Sequence, residues 1–240
     1  MKAVIQCGGM GTRLRPFTSV LPKPLMPIGA RPVLELLLKW LRRNGVLEVY
    51  ITTGYLGHLI RTVCGDGSQW NLGIHYTQET DPLGTIGPLS LIRDELTEPF
   101  LVLNGDVLTD LSLSRFVAAH HKHGGPVTIA TACRLTKIDF GVIDEVDDTV
   151  QVFREKPTFA HLVSMGIYCM NPDVLQFIPS GITFGFDDLM LQMMQAGKTI
   201  HVYKHDGLWL DIGCVSDFQS AQAISWEEQS ASVEVAVAAA

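Results

Sequence analysis

The feature that most constrains this chain is its first twenty-nine residues. A short apolar run, Ala3-Val-Ile5, stops at Gly8-Gly-Met-Gly11, and the chain then turns basic and proline-punctuated through Arg13, Arg15 and Pro22-Lys-Pro24. Glycine has no Cβ, so the backbone N–H groups of such a turn can close on an anion. Arg13 and Lys23 bring two cations to the same phosphate-sized space. The spacing is neither the G-x-G-x-x-G of a dinucleotide site nor the terminal G-K-S/T of a P-loop. A tight strand-to-helix turn would by itself account for the glycines. What points beyond it is the cluster of Arg13, Arg15 and Lys23 in a chain whose net charge is −7.

That negative charge argues against a broad nucleic-acid surface, so a polyphosphate must be held by a few local cations and a metal ion. Hydrophobic residues make up 47% of the 240, ample for a core. The five cysteines, Cys7, Cys64, Cys133, Cys169 and Cys214, are odd in number and lack metal-ligand spacing, which fits a reducing cytoplasm. No apolar run approaches a membrane span, and Met1-Lys2 leads directly into a strand without a signal peptide, so no membrane partner is expected.

Strand and helix patterns alternate through the first half. Pro32 to Arg43 has an amphipathic helical period, Glu48–Thr53 and Gly73–Gln78 are β-rich, Gly57–Cys64 has a helical pattern, and Gly84 to Arg93 starts a helix. Pro99–Leu103 is a short apolar strand ending in Asn104-Gly-Asp106. This alternation predicts an α/β fold: a Rossmann-like, mixed but mainly parallel sheet with helices on both faces, ligands lying beyond the carboxyl ends of the strands. Gly8 and Asp106 both stand just past strand ends. From Val127 the pattern becomes strand-dominated, through Val127–Cys133, Gly141–Val146, Val150–Arg154 and Val163–Met170. That predicts a smaller, β-rich lobe. Helical patterns return at Asp173–Phe177, Phe186–Gln195 and Val215–Trp226. The expected organisation is one domain over 1–226, with 1–126 mainly nucleotide-binding and 127–214 mainly sugar-binding, and a loose tail over 227–240.

Gly8-Gly-Met-Gly-Thr-Arg-Leu-Arg-Pro16 with Pro22-Lys-Pro24 resembles the signature of the sugar-1-phosphate nucleotidyltransferases. The likeness continues, in the family's order, through Pro82-Leu-Gly-Thr-Ile-Gly-Pro88, Leu103-Asn-Gly-Asp106, Phe140-Gly-Val142, Glu155-Lys-Pro157, Gly166-Ile-Tyr168 and Trp209-Leu-Asp-Ile-Gly213. Its flavour is that of the mannose-1-phosphate guanylyltransferase type, without the C-terminal β-helix that many of those enzymes add. The resemblance implies a GT-A-type fold and the reaction NTP plus sugar 1-phosphate giving NDP-sugar plus pyrophosphate, with a homodimer as the expected assembly.

The resemblance also implies roles. Gly8, Gly9, Gly11, Thr12 and Arg13 match residues on the β- and γ-phosphates, and Lys23 matches the lysine that stabilises the α-phosphate. Asp106 and Asp211 match a pair of Mg²⁺ ligands. Gly84 and Thr85 match the base loop. For the sugar phosphate, Gly105, Gly141, Glu155, Lys156 and Gly166 are the matching positions. Ser164 replaces the family's usual asparagine two residues before Gly166, so a manno-heptose or another modified hexose stands beside mannose as the expected sugar.

Base choice follows from hydrogen-bonding type. Where the uridylyl and thymidylyl branches carry a glutamine, this chain has Glu79, with Gln78 one residue earlier. A carboxylate only accepts, and it can take the N1–H and N2–H₂ donors of guanine together, which favours GTP. If Gln78 faces the base instead, that preference fails, and the residues alone leave the register open. Gln6 is either a buried polar group in need of partners or a contact to the nucleotide; both readings stand. His120, His121 and His123 are expected at a solvated helix end, and Met190, Met193 and Met194 in a core. The competing functions are a thymidylyl-, uridylyl- or cytidylyltransferase, a glycosyltransferase, and a non-catalytic NDP-sugar-binding subunit. The retention of Arg13, Lys23, Asp106 and Asp211 weighs against the last.

Overall fold

The computed structural model describes residues 1–213 and 215–224. Strands run β1 (Lys2–Cys7), β2 (Pro27–Ile28), β3 (Arg31–Pro32), β4 (Glu48–Thr53), β5 (Gly73–Gln78), β6 (Phe100–Asn104), β7 (Val107–Thr109), β8 (Val127–Lys137), β9 (Val142–Val146), β10 (Thr149–Arg154), β11 (Thr158–Met170), β12 (Ile200–Lys204) and β13 (Trp209–Asp211). The α-helices are α1 (Val33–Arg43), α2 (Gly57–Cys64), α3 (Leu113–His123), α4 (Phe186–Gln195) and α5 (Val215–Gln222). Seven strands form one sheet in the order β12-β8-β11-β6-β1-β4-β5. The pairs among β6, β1, β4 and β5 are parallel, and β11 is antiparallel to both β6 and β8. The expected mixed, mainly parallel sheet is therefore present.

Strand alternation divides the core into two layers. On one face Ala3, Ile5 and Cys7 of β1 join Val49, Ile51, Leu101 and Leu103 against Leu34, Leu37, Leu38 and Leu41 of α1, with Ile60 of α2 and Phe116 of α3. Those four leucines fall at i, i+3, i+4 and i+7, one stripe of a helix. Each contributes about 1.5–3 kcal/mol on full burial. On the other face Val4, Tyr50, Val102 and Tyr168 pack on Ile86, Leu89, Val174, Leu189 and Met193.

Departures from the sequence pattern have physical causes. β8 and β11 run past the sheet as an arm, Thr158 pairing Lys137 and Leu162 pairing Cys133. Most of the arm's residues are exposed, so no apolar alternation marks them. The stretch expected as a helix from Gly84 is instead a 3-10 segment, Gly87–Glu95, broken at Ile92. Its start is tied to a distant segment: Phe184 N–H donates to Leu83 O (2.8 Å), Ile86 and Gly87 N–H donate to Phe184 O, Phe186 N–H donates to Thr85 Oγ1, and the Thr183 hydroxyl donates to Pro82 O. Two placements are corrected. His120 is 1% exposed, its ring hydrogen-bonded to Thr128 Oγ1 and Asn171 Oδ1, because α3 packs that face on the sheet; His121 and His123 are exposed as expected. Met193 is buried, but Met194, one position round α4, is 64% exposed. Residues 225 to 240, including the expected tail and the end of the last helix, lie outside the described residues, as does Cys214. No described helix is long and apolar enough to cross a membrane.

Candidate active site

A cleft of about 800 Å³ opens at the carboxyl ends of the parallel strands β1, β4, β5 and β6. It is lined by the glycine turn with Thr12 and Arg13, by Lys23, by Glu79 with Gly84 and Thr85, and by Gly105 and Asp106. This is where an open α/β sheet binds ligands.

The turn is shaped by contacts that need glycine. Gly11 has φ +60, and a Cβ there would stand 3.0 Å from Thr18 Cγ2 and 3.3 Å from Lys23 Cβ. The Thr18 hydroxyl donates to Gly11 O at 2.8 Å and fixes the turn. A Cβ on Gly9, by contrast, would meet no protein atom within 4 Å and would project from the cleft wall into open space. At Gly105 a Cβ would run into Cys7 Sγ, so the strand end that carries Asp106 can lie against β1 only without a side chain there.

Asp106 and Asp211 come together through a small antiparallel pair. Asp211 ends β13 and pairs with Val107, the first residue of β7, while Ile212 N–H donates to Asp106 O at 3.1 Å. Lys23 bridges the two carboxylates, paired with Asp106 Oδ2 and lying 3.5 Å from Asp211 Oδ1. Pro22 and Pro24 flank it in a 3-10 turn whose backbone holds the ammonium inward. Arg13 Nη2 and Asp211 Oδ1 both lie within about 3.3 Å of where a Cβ on Gly213 would stand, so glycine keeps that gap open. Two converging carboxylates fit a hard divalent cation that completes its shell with phosphate oxygens and water. No group of three or more His, Cys, Asp or Glu side chains able to hold a metal exists among the described residues.

At the other end of the cleft, Glu79 leans over Gly8, where a Cβ would collide with its carboxylate. Glu79 Oε2 accepts from Leu83 N–H at 2.9 Å, and burial pushes the carboxyl above its ordinary value, partly offset by that hydrogen bond. Gln78 points to the opposite face and is exposed. Gly84 has φ +80, with the Phe184 backbone 2.7 Å from a built Cβ.

Gly166 (φ +71) sits in a bulge of β11 with its Cα against the Asn104 amide, and Asn104 lines the cleft. Ser164 accepts from Gly166 N–H and donates to the Tyr168 hydroxyl. A Cβ on Gly141 would stand 2.7 Å from the Phe153 ring and 3.4 Å from Glu155 Oε2, but Gly141, Glu155 and Lys156 stand on and beside the β9–β10 hairpin, outside this cleft's lining. Residues that the sequence reading assigned no role also line it: Thr52, Tyr55, Asp81 and Asn104. Polar residues at the ends of buried strands were the available signal.

The nucleotidyl transferase family profile matches residues 2–228. The chain is 38% identical over 234 residues to probable mannose-1-phosphate guanylyltransferase 2 of Arabidopsis thaliana, covering 91% of this chain and 63% of that protein. It is 33% identical over 241 residues to a UTP–glucose-1-phosphate uridylyltransferase of Synechocystis, covering 92% and 62%. It thus spans just under two thirds of the length of these relatives. Among solved structures, a putative glucose-1-phosphate thymidylyltransferase from Bacillus anthracis superimposes with a TM-score of 0.75 at 22% identity, over 93% of this chain and 94% of that one. HddC from Yersinia pseudotuberculosis complexed with GMP-PN gives 0.73 at 22% identity, over 92% and 98%. The fold is shared with those structures, and the chain belongs to the nucleotidyl transferase family.

Proposed function

We propose that the protein is a sugar-1-phosphate guanylyltransferase, converting GTP and a mannose- or manno-heptose-like sugar 1-phosphate into a GDP-sugar and pyrophosphate. The observation that carries this reading is the meeting of Lys23 with Asp106 and Asp211, the last 188 residues away in sequence, beside a glycine turn. In-line attack by a sugar-phosphate oxygen on the α-phosphorus, with pyrophosphate leaving, asks mainly for positioning and charge neutralisation. The Gly8–Thr12 backbone and Arg13 take the β- and γ-phosphates. Lys23 holds the α-phosphate as charge builds on it, a preorganised electrostatic contribution. Asp106 and Asp211 hold a divalent ion, Mg²⁺ by the oxygen-only donor set, which supplies charge neutralisation at the phosphates when bound.

Glu79 reads the base. It faces the cleft while Gln78 does not, which supports an acceptor for guanine N1–H and N2–H₂ over a glutamine for a uracil edge. Gly84 and Thr85 form the loop under the base. Gly105 and Gly166 border the sugar, and Gly141, Glu155 and Lys156 on the β-rich part receive its phosphate and hydroxyls. Residues 1–126 thus carry mainly the nucleotide and 127–214 mainly the sugar phosphate. Pyrophosphate release measured with four NTPs against a set of sugar 1-phosphates tests this reading. GTP with mannose 1-phosphate or a manno-heptose 1-phosphate is the expected pair, and a preference for UTP or dTTP would overturn the base assignment.

A further inference from the structure

A polar row crosses the sheet floor beneath the base end of the cleft. Asn104 of β6, Gln6 of β1, Thr52 of β4 and Thr77 of β5 are direct register partners on four adjacent parallel strands, so their side chains share one face. In the preceding row on that face Val4, Tyr50 and Val102 belong to the core, and His75 at the edge is exposed. Gln6, Thr52 and Asn104 line the cleft. Among the described residues, buried side-chain polar atoms without a hydrogen-bond partner are Gln6 Nε2, Thr52 Oγ1, Thr77 Oγ1 and Arg42 Nε. Three of these four belong to this row. Native interiors pair such groups, and an unpaired one beside a ligand cleft calls for a partner the ligand brings.

We infer that Gln6 is a base-specificity residue: its side-chain amide donates to the O6 acceptor of guanine while Glu79 accepts from N1–H and N2–H₂. This rests on the guanylyl reading above and adds the other half of the base's hydrogen-bonding edge. Glu79 leans over Gly8, just past the end of β1, and Gln6 stands two residues before Gly8 on β1, about 6.5 Å back along an extended backbone, with all three lining the cleft. Of the two ways a planar base can set its N1–N2 side on the carboxylate, the one we infer presents its 6-position toward the amide, where the unpaired Gln6 Nε2 lies. An amide offers a donor or an acceptor by turning over, so Gln6 does not choose the base by itself. Glu79, an acceptor only, makes that choice, and Gln6 then secures the oxygen side. Leucine at this position would pack on the same floor but leave O6 desolvated and unpaired.

The test compares the wild-type chain with Gln6→Leu and Gln6→Met, by equilibrium binding and steady-state turnover with GTP, 6-thio-GTP and ITP. 6-Thio-GTP keeps the N1–H and N2–H₂ donors but has a poor acceptor at position 6, whereas ITP keeps O6 and lacks the 2-amino group. In the wild type, GTP is favoured over both analogues. In the variants, GTP affinity falls about three- to tenfold, the worth of one neutral hydrogen bond. The GTP to 6-thio-GTP ratio collapses toward one, and the GTP to ITP ratio stays at its wild-type value. The melting temperature stays level or rises, because a side chain with a buried, unpaired Nε2 has been replaced by an apolar group of similar size. An unchanged 6-thio ratio in folded variants, or an effect confined to the KM of the sugar 1-phosphate, overturns the inference while leaving the guanylyl reading intact. Loss of the fold in both variants also overturns it, since Gln6 would then be structural. If the wild type binds no guanine nucleotide, both readings fall together.

Discussion

Replacing Lys23 by methionine keeps the length of the side chain and removes its charge. In the structure the ammonium is shared by Asp106 and Asp211, at 3.5 Å from the second. At that distance, with an effective dielectric of about 20, one such pair attracts by about 5 kcal/mol before desolvation. Asp211 is one-third exposed and Asp106 largely covered, so the net loss lies between that of a surface pair and that of a buried one, about 2 kcal/mol. For a chain of this size that lowers the melting temperature by about 4–8 °C. The two carboxylates then lose the cation that bridges them, and a divalent ion gains where the lysine no longer competes. Thermal unfolding with and without Mg²⁺ should therefore show a larger metal-induced rise in Lys23→Met than in the wild type. Turnover should fall about 10²- to 10³-fold, the cost of removing a preorganised transition-state contact. Equal metal responses in the two proteins, or near-normal turnover in the variant, would refute the shared site.

Glu79→Gln should cut kcat/KM for GTP about tenfold to a hundredfold and narrow the margin over UTP, read in the pyrophosphate assay. Burial holds the Glu79 carboxyl above its ordinary 4.5, so the folded chain binds that proton more tightly than the unfolded one. Relative to Glu79→Gln, wild-type stability is therefore greatest below that ordinary value and declines as pH rises through the raised one, which paired melting curves will reveal. GTP affinity runs the other way and weakens as the carboxyl protonates. Gly11→Ala forces a side chain into φ +60 against Thr18 and should destabilise the chain by about 1–2 kcal/mol in urea, with weaker triphosphate binding. Burial lowers the pKa of His120 below 6.5, so its share of stability is present above that value and lost as pH falls; His120→Phe should flatten the decline in melting temperature between about pH 7 and pH 5.

The elements that bury one stripe were legible in the sequence. α1, α2, β4 and β5 fall within a residue of their expected bounds because leucine spacing and β-branched runs record burial directly. Where burial is weak, the record fades: the exposed arm of β8 and β11 and the edge strand β12 carry little alternation. Long-range pairing is recorded least. The burial of His120 depends on Thr128 and Asn171, and the polar row of Gln6, Thr52, Thr77 and Asn104 exists only once four strands are in register. The facing of Glu79 over Gln78 likewise required the period-two alternation to be anchored by β4. At the site, the glycine turn, Lys23 and both aspartates were readable as motifs. The meeting of the two aspartates was implied by the family resemblance and not by any pattern in the residues, because the β7–β13 pair that joins Asp106 to Asp211 is only three residues long on each strand.

The threads from residues 82–87 to 183–186 bear on the order in which a ribosome delivers this chain. Every backbone atom of the glycine turn and of β5 has emerged before Thr183 is made, yet Pro82 O, Leu83 O, Thr85 Oγ1 and the N–H groups of Ile86 and Gly87 lack the partners they have in the folded chain until Thr183, Phe184 and Phe186 arrive. A nascent chain halted between the two segments thus holds the glycine turn and Glu79 without the finished wall beside them. Completion of that wall is for this reason a late acquisition in synthesis, supplied by the residues that lead into α4.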